Sequence, residues 1–154
     1  QMCIRDRSQE DVKNAFKKNE LDSDSIIVVR FQGPIANGMP ELHGLTPILS
    51  VLQDRGIKVA LITDGRMSGA SGKVPAAIHL SPEASSSGPI SKIKNGDLIR
   101  LDALSGELNN LEKNFESREV RKKDLTKNES GLGRELFKVF RENAKSAKYG
   151  GGIT

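Results

Sequence analysis

The apolar run at residues 59–62, Val-Ala-Leu-Ile, constrains the fold most: it alternates too little for a strand with one wet face and predicts a strand buried on both. It feeds without a break into a loop that carries Asp64, Arg66, Ser68, Ser71 and Lys73 within ten positions. Gly65, Gly69 and Gly72 between them let the backbone turn sharply or approach a ligand closely. A strand that delivers such a concentration of donors is how rigid scaffolds present chemistry, although a plain Gly/Ser turn between a strand and a helix is the competing reading. A nucleotide P-loop does not fit, because Met67 stands where its first Gly belongs and Val74 follows Lys73 where Ser or Thr is needed.

Around this run, Ser8 followed by Asp11 predicts a capped helix to about residue 18. Residues 26–31 form a strong β run that ends at Gln-Gly-Pro, where Pro34 blocks further pairing. Asn37-Gly38-Met39-Pro40-Glu41 sets a turn beside a carboxylate, and Thr46-Pro47 opens a helix that Gly56 stops. Residues 74–78 read as an apolar helical turn. Residues 90–93 and 97–101 read as strands joined through Lys94-Asn95-Gly96, with a further strand at 107–111. Leu132, Leu136, Val139 and Phe140 mark one face of a final amphipathic helix ending near residue 147. This mixture is α/β, and the order of elements favours a barrel-like or curled sheet with peripheral helices over a doubly wound one.

A chain of 154 residues holds one domain with a genuine core, and with 4% aromatics and no Trp that core is aliphatic. The same lack removes the stacking platforms of single-strand nucleic-acid binders. The net charge of +4 lies in residues 112–148, where 11 Lys/Arg face 7 Asp/Glu, a mixed solvated surface rather than a basic stripe; no nucleic-acid partner is expected. Cys3 is the only cysteine, so no internal disulfide or Cys-rich metal site arises from this chain, and a reducing, cytoplasmic compartment is expected. No run approaches a membrane span. Residues 1–7 read as a foreign leader, 8–149 as the domain, and 150–154 as a frayed or truncated end.

The segments Val29-Arg30-Phe31-Gln32-Gly33-Pro34, Asn37-Gly38-Met39-Pro40-Glu41-Leu42 and Thr63-Asp64-Gly65-Arg66-Met67-Ser68-Gly69-Ala70 together resemble the C-terminal domain of the dihydroxy-acid dehydratase and 6-phosphogluconate dehydratase family. The resemblance covers residues 8–149. The wording at 31–34, 52–56 and 71–79 looks like the 6-phosphogluconate branch.

The resemblance implies a swivelling β/β/α domain with a barrel-like core, packed on a larger N-terminal domain that holds an iron-sulfur cluster and most of a magnesium site. It implies a homodimeric full-length hydro-lyase that converts 6-phosphogluconate to 2-keto-3-deoxy-6-phosphogluconate in the Entner-Doudoroff pathway, with the fragment alone inactive. Ser68 matches the family serine that abstracts a proton as its alkoxide, and Glu41 matches the carboxylate that reaches magnesium, against the plainer reading of a surface acid.

Arg66 either pairs with the substrate carboxylate or braces Asp64, the second being the commoner arrangement. Ser71 and Lys73 complete the expected substrate contacts, with Lys73 meeting the phosphate as against lying on a solvated turn. His43 and His79 titrate near neutrality, but nothing in the sequence orients either, and a packed His79 is favoured. Met39 and Met67 read as packing residues. Two alternatives stay open: dihydroxy-acid dehydratase itself, and a noncatalytic binding or assembly domain of the same fold. Convergence of Glu41 and Ser68 discriminates the enzyme from the latter.

Overall fold

The computed structural model describes residues 2–4, 8–68, 72–131 and 133–154, the side chains of 2–4 and 128 excepted. Strand β1 (Met2–Ile4) precedes helix α1 (Gln9–Lys17), so the presumed leader contributes a short strand to the sheet. Ser8 caps α1 as its sequence predicts: its hydroxyl accepts from the Asp11 amide, and the Asp11 carboxylate accepts from the Ser8 amide. Val12 and Ala15 then face inward.

Strands β2 (Ser25–Val29) and β3 (Val59–Thr63) are buried at every position. They pair in parallel, from Ser25 opposite Val59 to Val29 opposite Thr63. Parallel neighbours need a crossover, and the short helix α2 (Pro34–Asn37) and helix α3 (Thr46–Asp54) supply it. Ile27, Val29 and Leu61 pack with Val12 and Ala15 of α1, with Leu49 and Leu52 of α3 and with Leu45 just before it. Ile26, Val28, Ala60 and Ile62 pack on the other side against Ala84, Ile90 and Ile99. The double-sided burial expected of 59–62 follows from this sandwiching.

Three expectations fail for local reasons. Residues 74–78 are not a helical turn: Ala76–Ala77 is strand β4, parallel to β3, because the Pro75 carbonyl accepts from the Leu61 amide and draws the segment onto the sheet edge. Residues 90–93 are not a strand. Pro89–Lys92 forms a 3-10 turn, whose Ile90 and Ser91 carbonyls are taken by the Arg30 guanidinium instead of a ladder. The hairpin therefore pairs β5 (Ile99–Asp102) with β6 (Glu107–Asn110), turning at 103–106, where Asp102 accepts from the Leu104 and Ser105 amides.

The barrel-like core is also corrected. The described strands form a four-stranded parallel sheet, in the order β1-β2-β3-β4, and a separate two-stranded hairpin. The molecule is thus a small α/β domain with no closed barrel among the described residues. Near the end, a 3-10 turn (Arg134–Phe137) runs into helix α4 (Lys138–Asn143), shorter than expected. Its apolar face does not enter the core: Leu136, Val139 and Phe140 are 79%, 62% and 53% exposed, while Leu132 lies outside the described residues.

Candidate active site

Because β2 and β3 pair in register to their last residues, the loops leaving them emerge side by side. Asp64 ties them together. Fully buried, it accepts from the amides of Phe31 (3.1 Å), Gln32 (2.9 Å) and Ala84 (2.9 Å). Burial raises its pKa, against the opposing pull of those three amides. Phe31 is held at φ +60°, a left-handed conformation that a bulky residue keeps only when its surroundings impose it.

Close approach needs two glycines. A Cβ on Gly65 would lie 2.7 Å from the Gln32 Cβ, and one on Gly33 would lie 2.4 Å from the Glu83 carboxylate. Glu83, itself buried, accepts from the Ile35 and Ala36 amides and from the Ser85 hydroxyl, fixing the start of α2.

On this frame Glu41 and Ser68 meet. A bridge between Glu41 and Arg66 aligns the two loops, with the Leu42 amide donating to the Arg66 carbonyl at 3.1 Å. The Ser68 amide then donates to Glu41 Oε1 at 2.6 Å. That bond is the main reason the Glu41 carboxyl titrates below its ordinary range; slight burial opposes it, and the Ser68 hydroxyl, Arg66 and His43 assist it. Glu41 is therefore an anion beside a serine.

Arg66 does not brace Asp64. Its Nε donates to the Met39 carbonyl at 2.9 Å and lies 3.9 Å from Glu41 Oε2. The backbone amides already satisfy the Asp64 carboxylate, and Arg66 is left half-exposed beside Glu41. Met39 has φ +55° and lines a cleft of about 510 Å³ between α2 and α4, opposite Phe137 and Phe140. Met67 is buried in the core.

The remaining expected residues are not gathered there. Lys73 donates to Asp54 Oδ1 at 2.7 Å, an exposed pair at the last turn of α3, away from the C-terminal end of β3. Ser71 lies outside the described residues. His79 is not the packed residue expected: it is exposed, at φ +58°, because its amide bonds the Gly65 carbonyl at 2.9 Å and holds the residue at the surface through its backbone. The bracing roles of Asp64 and Glu83 escaped the sequence reading, since neither acid carries a local mark of burial.

For a metal, Glu41 offers one hard oxygen donor, which suits magnesium. Among the described residues no group of three or more His, Cys, Asp or Glu could hold an ion. The donor set fits a single protein ligand to a cation whose other ligands come from elsewhere, and it does not fit an iron-sulfur cluster.

Comparison with known proteins identifies the family of the chain. Residues 5–151 match the family model described as dihydroxy-acid/6-phosphogluconate dehydratase C-terminal. The chain is 54% identical over 147 residues to the phosphogluconate dehydratase of Rhizobium meliloti (strain 1021), covering 94% of this chain and 24% of that protein. It is 52% identical over 145 residues to the phosphogluconate dehydratase of Escherichia coli (strain K12), covering 93% and 24%. With the dihydroxy-acid dehydratase of Ignicoccus hospitalis it shares 38% over 148 residues, covering 94% and 26%. The chain thus spans about a quarter of the length of these relatives. It belongs to the dihydroxy-acid/6-phosphogluconate dehydratase family, whose C-terminal domain it represents.

Proposed function

We propose that this chain is the C-terminal part of a longer hydro-lyase that dehydrates 6-phosphogluconate to 2-keto-3-deoxy-6-phosphogluconate. The observation that carries the reading is that Glu41 and Ser68, 27 residues apart in the chain, are brought together, with the Ser68 amide donating to the Glu41 carboxylate. The higher identity to phosphogluconate dehydratases, 54% and 52% against 38%, favours the phosphorylated substrate over a branched dihydroxy acid.

The reaction removes the C2 proton, expels the C3 hydroxyl as water, and leaves an enol that tautomerises to the ketone. Ser68 Oγ, as its alkoxide, takes the C2 proton, and the anionic Glu41 beside it holds the site's cation. Glu41 would be this chain's ligand to magnesium, which when bound would supply positive charge for the substrate carboxylate and the charge developing beside it, while an iron-sulfur cluster would be held by the remainder of the enzyme. Arg66, half-exposed beside Glu41, orients the substrate carboxylate, and Ser71 adds a hydroxyl contact. A phosphate contact from Lys73 requires it to leave its exposed Asp54 partner at the end of α3 and to move toward the Glu41 cluster, a role that rests on the family motif and not on its position here. The domain swivels on its larger companion, and the enzyme works as a cytoplasmic homodimer.

The test is a chimera in which this chain replaces the corresponding quarter of the Escherichia coli relative. The chimera should dehydrate 6-phosphogluconate, while the 154-residue chain alone should not. A folded chimera without that activity, or one that prefers dihydroxy-isovalerate, would overturn the reading.

A further inference from the structure

A second concavity, of about 560 Å³, lies on the other face of the sheet. The alternation of β2 sends Ile26 and Val28 to that face, and Arg30 follows them, whereas Leu42 and Met67, which flank the Glu41 cluster, pack with Ile27 and Val29 on the first face. Arg30 lines this concavity at 3% exposure, its guanidinium fixed by Nη1 donating to the Ile90 carbonyl (3.0 Å) and the Ser91 carbonyl (2.6 Å). A guanidinium so held is costly to bury and contributes fixed positive charge to the concavity.

The rim adds more positive charge. The Arg121 amide donates to the Ser91 carbonyl, which lays residues 119–121 beside 91–95 and brings Arg121 opposite Lys92 and Lys94. Lys92 Nζ donates to the Glu116 carbonyl at 2.7 Å, and the Glu116 carboxylate, 3.8 Å away, is 90% exposed and therefore a weak, screened counter-charge. Four cations line the concavity against one acid, Glu119. The acid leaves an excess that suits a dianion.

We propose that this concavity is an anion site for a phosphate group, either free or carried on a small sugar acid. It stands independently of the catalytic reading, since none of its residues belongs to the Glu41 cluster. Single-stranded nucleic acid is disfavoured because the lining holds no aromatic ring on which bases could stack.

The test is a titration of the 154-residue chain with inorganic phosphate at constant ionic strength, followed by amide NMR shifts. Saturable shifts at residues 91–95 and 119–121 are expected. Lys94→Gln and Arg121→Gln, both exposed and so without consequence for folding, should each raise the half-saturating concentration about tenfold, the loss expected for one charge-assisted hydrogen bond. Tighter binding of 6-phosphogluconate than of phosphate at the same residues identifies a phosphorylated sugar acid, and equal binding identifies free phosphate. Shifts that chloride reproduces, shifts that neither substitution weakens, or a preference for single-stranded RNA would overturn the proposal. Because Ser68→Ala should leave these shifts intact, failure here and failure of the catalytic reading are separable.

Discussion

The Ser68 amide donates to Glu41 Oε1 at 2.6 Å, and it is this backbone bond, not a side-chain contact, that sets the distance between the two residues. Replacing the serine side chain therefore leaves the bond in place. In the full-length enzyme Ser68→Ala should lower kcat by orders of magnitude and change stability by no more than about 0.5 kcal/mol. Turnover assays paired with thermal melts check both halves, and near-normal activity would remove Ser68 from the chemistry.

Glu41→Gln keeps an acceptor for the Ser68 amide but loses the charge that a hard cation needs. The full-length variant should require more magnesium for half-maximal rate while melting normally. An unchanged magnesium titration would leave Glu41 as a loop brace only.

Lys73→Met should raise KM for 6-phosphogluconate more than for gluconate, because only the former carries the dianion. Its stability cost should be small, about 0.2–1 kcal/mol, as the Asp54 pair is exposed. Equal losses on both substrates would make Lys73 a structural residue.

Asp64→Ala strands three amides, those of Phe31, Gln32 and Ala84, at roughly 1–3 kcal/mol for each buried donor left unpaired. The 154-residue chain should lose at least about 3 kcal/mol in urea unfolding. Asp64→Asn, which retains an acceptor oxygen, should lose less. A melt unaltered by the alanine would mean that water replaces the carboxylate.

Asp97 sets an acid limb on stability. Burial pushes its carboxyl up, but Arg118 at 2.6 Å, with the Lys94 amide and Asn110, outweighs this and holds it below the ordinary range. A depressed folded pKa contributes stability above the unfolded value of about 3.9, and that contribution disappears as pH falls through the folded value. Asp97→Asn should lower Tm by roughly 2–4 °C at pH 7. The gap to the parent should close below about pH 4. A gap independent of pH would point to packing instead of charge.

What the sequence made legible was whatever depends on neighbours along the chain. The Ser8 cap, the buried run at β3, the stop at Gly56 and the turn before Glu41 each follow from residues within a few positions, and each stands in the structure. The meeting of Glu41 with Ser68 was legible only through family motifs. What escaped depends on distant partners: Arg30 claims the carbonyls of Ile90 and Ser91 from 60 and 61 residues away and converts an expected strand into a turn. Likewise Arg66 and Asp64 are two residues apart and look like a pair, yet amides from residues 31, 32 and 84 satisfy the acid first. The periodicity of 136–140 predicts a helix face correctly but says nothing of what it faces, and here that face is exposed.

The Asp64 clamp also sets a limit on protein engineering. Three stretches of chain, at 31–32, 64 and 84, converge on one carboxylate, so the loop bearing Ser68 is not a cassette that can be lifted into another scaffold. A graft that carried only the Asp-Gly-Arg-Met-Ser stretch would arrive with a buried acid and none of its donors. The smallest transplantable unit is the whole end of the sheet.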